Sequence, residues 1–462
     1  MIKIDLPKGV IKILNILKQY KYSAYVVGGC VRDSILKNGP NDWDICTSAT
    51  PEQMKEVFKA AHLHTYDTGI QHGTISIMVD GELYETTTYR IDGEYSDGRH
   101  PDEVVFVDNI EKDLARRDFT VNAMAYNDKD GLIDPFNGQE DLENKIIRCV
   151  GDPNQRFQED ALRVLRAIRF ASTYGFTIEP STKQAIFDNK HLLENVAAER
   201  KTTEFLKTLR TADAELLREY KDVFAEFVPE LKDTFGFDQN NPWHVYDVFE
   251  HTIHAFECCN SDNMIVKLAV FFHDIGKPHS FQDGEDGVRH FKGHGSVGSD
   301  ITNEIMRRMK FDNETREAVV QLVQYHAAQI KPEKAFIKKC MNKIGANQFA
   351  KLLEVKVADN MAQNLERSAK VIEDIKKIGE LFGEVINNKE CYLIKDLAVN
   401  GKDLMDVGIP SGKQMGETLN YLLDEVIQSP ELNDRDELLN AAKKYHEISL
   451  QVDNTIDDIE RR

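Results

Sequence analysis

YVVGGCVRDSILKNGPNDWDI, residues 25–45, reads as two chemical devices joined by a short helix. The first is a buried strand over 24–27 that ends in a tight Gly28-Gly29 turn, with a helix beginning at 31–36. The second is a strand that starts near Asp42 and carries Asp42 and Asp44 on either side of Trp43. Residues two apart on a strand share a face. Two carboxylates on one face repel each other unless a cation sits between them. The Gly-Gly turn offers backbone N–H groups and a helix N-terminus, which suit a phosphate. A magnesium ion and a phosphate chain held together point to phosphoryl or nucleotidyl transfer.

Working outward, residues 1–20 read as an amphipathic helix with Val10, Ile13, Leu14 and Leu17 at helical spacing. Thr50-Pro51-Glu52 has the form of a helix start, threonine as cap and proline first. GTISIMV and LYETTTY, either side of Asp80-Gly81, predict a β-hairpin. Glu85 lies on its second strand. Residues 90–103 form a long polar loop containing Arg99, of the kind that more often carries function than merely connects. Residues 114–126, LARRDFTVNAMAY, are expected to be helical. Beyond about residue 145 the chain reads as almost wholly helical. Its clearest helix covers 160–174, with Leu162, Leu165 and Ile168 as the buried stripe and Asp160 and Arg163 opposite.

Bulk properties bound the reading. A chain of 462 residues needs two to four cores. Its 41% hydrophobic and 29% charged residues fit a soluble globular protein. No stretch is apolar enough to span a membrane, and MIKIDLPKGV lacks a signal-peptide core, so a cytoplasmic location is expected. Seven scattered cysteines form neither a disulfide framework nor a zinc-finger spacing. The net charge of −20 argues against a general nucleic-acid binder. Lys145, Arg148, Arg156, Arg163, Arg166 and Arg169 nevertheless concentrate positive charge where one specific RNA could be held.

Nucleotidyl transfer needs carboxylates to hold Mg²⁺ against a triphosphate and an attacking hydroxyl. Asp42 and Asp44 supply two, and Glu85 on a neighbouring strand can complete the set. Arg32, Arg116 and Arg117 are candidates to neutralise phosphates.

GGCVRD followed by NDWDI resembles the signature of class II tRNA nucleotidyltransferases (CCA-adding enzymes) and bacterial poly(A) polymerases, within the polymerase-β superfamily. The likeness continues through YETTTYR, RRDFTVNAMAY, LIDPFNGQEDLENKIIRCVGDP, RFQEDALRVLRAIRFASTYGF and AAERKTTEFLK. It ends with DLAVNGKDLMDVGIPSGKQMGETLNYLL in the tail. The resemblance implies an α+β architecture: a polymerase-β-like head over 1–145, an all-α neck over 146–238, a helical metal-binding domain over 239–365 and a helical, tRNA-binding tail over 366–462. It further implies that Asp42 and Asp44 bind Mg²⁺ with Glu85 as third carboxylate. Gly28, Gly29, Arg32 and Arg117 would contact the nucleotide. Asp160, Arg163, Arg166 and Arg169 would form the nucleotide-selecting face. Arg99 would belong to a mobile element used in switching from C to A addition.

The base chemistry is consistent with that selecting face. Adenine and cytosine both present an amino donor beside a ring-nitrogen acceptor, and guanine and uracil present the reverse. A carboxylate beside a guanidinium therefore accepts A and C and rejects G and U without an RNA template. An ordinary helix salt bridge between Asp160 and Arg163 is the competing reading.

A second constellation occupies residues 244–360. His244, His251, His254, the His273-Asp274 pair, His279, His290, His294, His326 and Asp359 are rich in imidazole, and HDIGKP follows an apolar helix. Several imidazoles with a bridging carboxylate suit a divalent transition metal. The segment resembles the HD phosphohydrolase superfamily, which implies metal ligation by His251, His273, Asp274 and Asp359. His294 and His326 would serve a second metal, and Lys277 would face a substrate phosphate. A degenerate domain kept for packing is the alternative. In the tail, GIPSGKQMG is either an RNA-phosphate contact or a packing turn.

The expected activity is template-independent addition or repair of the tRNA 3′-terminal CCA from CTP and ATP, with Mg²⁺ and release of pyrophosphate. An A-adding enzyme or poly(A) polymerase of the same family is the first alternative. A metal phosphohydrolase whose main activity lies in the histidine segment is the second. The sequence leaves the oligomeric state open.

Overall fold

Every residue of the Ala24–Val27 strand is buried, which places it inside a sheet rather than at an edge. The structure, a computed structural model, describes residues 2–93 and 103–460; the expectation for Arg99 lies outside the described residues. The chain divides into two compact units, Met1–Lys232 with Arg308–Lys310, and Asp233–Arg307 with Phe311–Arg462.

The first unit is built on a seven-stranded sheet, in the order Thr65–Gly69, Thr74–Val79, Glu82–Thr88, Ile45–Thr47, Ala24–Val27, Ala125–Asn127 and Gly131–Ile133. Ile45–Thr47 runs parallel to Glu82–Thr88, and the other neighbours are antiparallel. The hairpin forms where the sequence predicts it. Asp80 at φ 54° and Gly81 at φ 91° supply the two positive φ values that a tight two-residue turn requires. The Lys8–Gln19 helix buries Val10, Ile13 and Leu17. Thr50 caps Pro51–Ala60 in a capping box with Gln53.

Three expectations change. The second strand begins at Ile45 rather than near Asp42, so both aspartates precede it. Residues 114–126 are not one helix. A short helix ends at Ala115, Thr120–Asn122 is a 3₁₀ turn, and Ala125–Asn127 is a strand paired with Ala24–Val27. Two causes act there. The Asp118 carboxylate accepts from the Phe119 amide, and Phe119 bridges to Cys149. Tertiary partners thereby take the backbone groups a helix would use. Third, the Leu162–Tyr174 helix starts after Asp160, which adopts extended angles between it and Pro153–Glu159.

The second unit is helical. Val248–Cys258, Met264–Phe272, His294–Arg308, Asn313–Tyr325 and Ala346–Met361 carry the histidine segment. Two further buried clusters follow toward the C-terminus. One centres on Ile337, Met341, Phe349, Ile378 and Val385, the other on Leu404, Ile409, Leu422, Val426 and Leu438. Gly412, at φ 107°, caps the Lys413–Gln428 helix. The Lys413 side chain is 90% exposed there.

Candidate functional site

In the first unit, register brings the acidic residues together. Ile45 pairs in parallel with Thr86, and both side chains are buried. Asp44 and Glu85 each precede these residues by one, so they point to the opposite, open face. Both are solvent-exposed, as is Asp42. Partial desolvation raises the Asp44 carboxyl above its usual range; the Arg117 charge opposes this and the Asp42 charge adds to it. This is a set of hard oxygen donors under mutual repulsion, and it fits a divalent hard cation.

The Gly28-Gly29 turn opens the expected helix, Gly29–Ile35, though one of its amides is engaged. The Gly28 amide is already committed to Met124 O at 3.1 Å. What the turn supplies is room: Gly28 sits at φ +76°, and a Cβ there would lie 2.8 Å from Arg117 Nη1. Arg117 is anchored to Asp113 at 3.4 Å, while its buried Nε has no hydrogen-bond partner. A guanidinium wedged against the turn with an unmet donor suits an anionic ligand.

The selecting face is a chain of braced pairs. Asp160 and Arg163 do not form a salt bridge with each other. Asp160 accepts from the Leu162 amide and from Arg200 Nη2 at 2.8 Å. Arg163 bonds Glu159 at 2.7 Å and the carbonyls of Arg156 and Arg116. Each is therefore held in place by a partner of its own. Arg166 pairs with Asp118, Arg169 with Glu204, Arg148 with Asp141 and Arg156 with Glu159. Burial alone would raise the Asp118 carboxyl, but Arg166 and Asn122 overcome it and hold the pKa at about 2. The arginines of the basic run are thus each paired with a carboxylate, Arg156 and Arg163 sharing Glu159. Sequence reasoning missed Asp118, Glu159, Arg200 and Glu204. Arg200 and Glu204 sit in AAERKTTEFLK, a motif quoted for the resemblance but given no role.

In the second unit, all six expected metal ligands converge. Asp274, 1% exposed, stands at the centre. Its Oδ2 lies 3.3 Å from His251 Nε2 and 3.2 Å from His273 Nε2, with Asp359 Oδ1 3.1 Å from His251 Nε2. Its Oδ1 lies 3.5 Å from both His294 Nε2 and His326 Nε2. One carboxylate thus faces two ligand groups. The Nδ1 atoms of His273, His294 and His326 bond the carbonyls of Val270, Phe291 and Val323 at 2.6–2.7 Å. A carbonyl only accepts, so Nδ1 carries the proton and Nε2 presents its lone pair inward. The Nε2 atoms of His294 and His326 then confront each other at 3.1 Å. Opposed lone pairs are unfavourable unless a cation lies between. These residues fit two divalent metal ions.

The HDIGKP turn packs tightly, since a Cβ on Gly276 would fall 2.3 Å from His294 O. Lys277 is 3% exposed, 2.6 Å from Asp274 Oδ2 and 2.7 Å from Gln239 Oε1. It braces the central aspartate and also lines the cleft over the cluster. A cleft of about 710 Å³ opens over the cluster, lined among others by Trp243, His244, Lys292 and Lys331.

Comparison with known proteins follows this division. Residues 24–148 match the family model of the poly A polymerase head domain, residues 175–234 that of the RNA and SrmB-binding site of polymerase A, and residues 296–442 that of tRNA nucleotidyltransferase domain 2. A CCA-adding enzyme of Ligilactobacillus salivarius is 34% identical over 454 residues, covering 95% of this chain and 97% of that protein. One of Lactobacillus helveticus is 50% identical over 211 residues, 45% of this chain and 52% of that protein. The crystal structure of a Bacillus stearothermophilus CCA-adding enzyme in complex with CTP superposes with a TM-score of 0.70 at 28% identity. It covers 96% of this chain and 98% of that one.

Proposed function

This chain belongs to the family of CCA-adding enzymes, and from that premise we propose that it adds or repairs the 3′-terminal CCA of tRNA, using CTP and ATP without a template and releasing pyrophosphate. The observation that carries the reading is the placing of Asp44 and Glu85 in register on one open face beside Asp42 and the Arg117-wedged Gly28 turn. Residues 1–145 act as head, 146–238 as nucleotide-selecting neck, 239–365 as metal-binding domain and 366–462 as tRNA-binding tail.

Asp42, Asp44 and Glu85 would hold Mg²⁺, which supplies charge neutralisation for the triphosphate and lowers the pKa of the attacking hydroxyl. Arg117 and Arg32 receive the phosphates, and Gly28 and Gly29 keep the floor free of side chains. Asp160 accepts from the amino group of C or A, and Arg163 donates to the adjacent ring nitrogen. Guanine and uracil meet donor with donor and acceptor with acceptor, and a buried mismatch of that kind is strongly disfavoured. Arg166 and Arg169 hold the helix in place through Asp118 and Glu204. No helix among the described residues is long and apolar enough to cross a membrane, and we assign the enzyme to the cytoplasm, where tRNA is matured.

The test is incubation with tRNA lacking CCA, labelled CTP or ATP, and Mg²⁺. Product of CCA length is expected. Incorporation of A only onto ends already carrying CC would make it an A-adding enzyme, and long A tails a poly(A) polymerase.

A second reading rests on the convergence of His251, His273, Asp274, His294, His326 and Asp359. The second unit also binds divalent transition metal and hydrolyses phosphate esters, with 2′,3′-cyclic nucleotides the first substrates to assay. Metal analysis of the purified protein and hydrolysis after Mn²⁺ or Ni²⁺ loading test it. Absence of bound metal at saturating Mn²⁺ or Ni²⁺ would sink it.

A further inference from the structure

Arg166, Phe170 and Tyr174 are spaced by four on the Leu162–Tyr174 helix and therefore share one face. Around Phe170, which is 4% exposed, a closed hydrogen-bonded circuit runs from one end of that face to the other. Tyr174 Oη donates to Asp33 Oδ1 at 2.9 Å. Asp33 accepts Arg32 Nε and Nη2 at 2.8 and 2.9 Å. Arg32 Nη1 donates to Asn122 Oδ1 at 2.5 Å, and Asn122 Nδ2 to Asp118 Oδ1 at 3.0 Å. Asp118 Oδ2 accepts Arg166 Nη2 at 2.6 Å, returning the circuit to the helix. The Arg32 guanidinium lies over the rings of Phe170 and Tyr174, at 5.1 and 4.7 Å.

The circuit joins three separate stretches: the helix start after the Gly-Gly turn, the RRDFTVN segment, and the helix whose N-terminal end carries the base-reading residues. Its charges balance, two guanidiniums against two carboxylates. Asn122 is the one neutral relay, and its amide has a single workable orientation. Turned over, it would set NH₂ against a guanidinium and oxygen against a carboxylate. Arg32 also touches the catalytic turn, because a Cβ on Gly29 would lie 3.4 Å from Arg32 Nη2.

We propose that Tyr174 and Asn122 are positioning residues that couple the base-reading end of the Leu162–Tyr174 helix to the Gly28-Gly29 turn, so that a correct base edge is needed for a correctly placed triphosphate. Neither touches the reacting atoms; both act through Arg32. The inference rests on the nucleotidyltransferase reading above. A base that does not match Asp160 and Arg163 displaces the helix. Arg32 is held only while both arms are intact, Asn122 and Asp118 on one side and Tyr174 and Asp33 on the other, so that the displacement is transmitted by the closed circuit and lost when either arm opens.

The experiment measures kcat and KM for CTP, ATP, GTP and UTP in the full chain and in Tyr174→Phe, Asn122→Leu and the double variant. Tyr174→Phe removes one hydroxyl and leaves the ring over Arg32. With it, kcat for CTP and ATP is expected to fall roughly tenfold, the scale of one hydrogen bond to a charged group. KM should move by less than about twofold, and GTP and UTP rates should fall little, so discrimination narrows by about the same factor. The double variant should lose no more than the worse single, because both break one circuit. An equal fall for all four nucleotides would make Tyr174 merely structural and overturn the proposal, as would unchanged discrimination or additive losses. Should Asn122→Leu fail to fold, Asp33→Asn takes its place in the cycle. No incorporation of C or A by the unaltered chain would overturn the function reading and this proposal with it.

Discussion

The two sites place their carboxylates in opposite settings. In the first unit, Asp42, Asp44 and Glu85 are exposed, and the arginines around them are held by partners, so charge is arranged at an open face for a large substrate. In the second, His251, His273, Asp274 and His326 are 1–2% exposed and close upon one carboxylate. An exposed set can wait for its metal with its substrate, because water solvates the carboxylates meanwhile. A buried set cannot, because unpaired lone pairs and charges in a dry interior are costly. The comparison teaches that a buried donor set needs its countercharge at all times, whereas an exposed carboxylate set is solvated without one.

The largest expected effect separates the two. Asp44→Ala should lower C and A incorporation roughly 10³-fold, the scale of several kcal/mol of lost charge stabilisation. Metal content at the histidine cluster should stay unchanged by elemental analysis. The converse change, Asp274→Asn, should weaken transition-metal affinity by roughly 100-fold and leave nucleotide incorporation within about twofold. If either substitution damages both activities, the two sites are not independent and the comparison breaks.

A smaller effect sharpens the account of the selecting face. Asp160→Ala should reduce the preference for ATP over GTP by roughly 10- to 100-fold while the fold persists. Arg200→Ala, which only removes the brace on Asp160, should reduce it by about threefold to tenfold. Normal discrimination in Asp160→Ala would end the protein-template reading.

The smallest is a pH effect confined to the first unit. The Asp118 carboxyl is held at about 2, below its ordinary value, so its contribution is full above the ordinary carboxylate range and disappears as pH falls through about 2. The shift corresponds to about 2 kcal/mol. Urea unfolding free energies of the unaltered chain and Asp118→Asn should therefore converge by about that amount between pH 5 and pH 2. A gap that stays constant would show that Arg166 does not stabilise the ionised carboxylate.

Much of the first site was legible because it is local. Gly28, Asp42 and Asp44 lie within one strand–turn–strand passage, and Asp80-Gly81 announces the hairpin that carries Glu85. The 114–126 segment misled for a physical reason. Val121, Ala123, Met124 and Ala125 are all fully buried, so the apolar pattern has no face from which to read a period. The histidine segment was legible in composition, since few other roles gather so many imidazoles around HDIGKP. The Lys277–Asp274 pairing was not legible, because a lysine's sequence position does not reveal whether its ammonium meets water or a buried aspartate.

The sequence by itself determined the kinds of groups present: oxygen donors beside a glycine turn, imidazoles around one Asp, and an Asp and an Arg one helical turn apart. Tertiary structure alone decided how each charge is spent. Asp160 is braced by Arg200, forty residues away, and Arg166 by Asp118, forty-eight residues away. Asp274 meets His294, His326 and Asp359 only once four helices have packed. Such pairings depend on the register of distant backbones, and burial strengthens them by removing the water that would otherwise screen each charge.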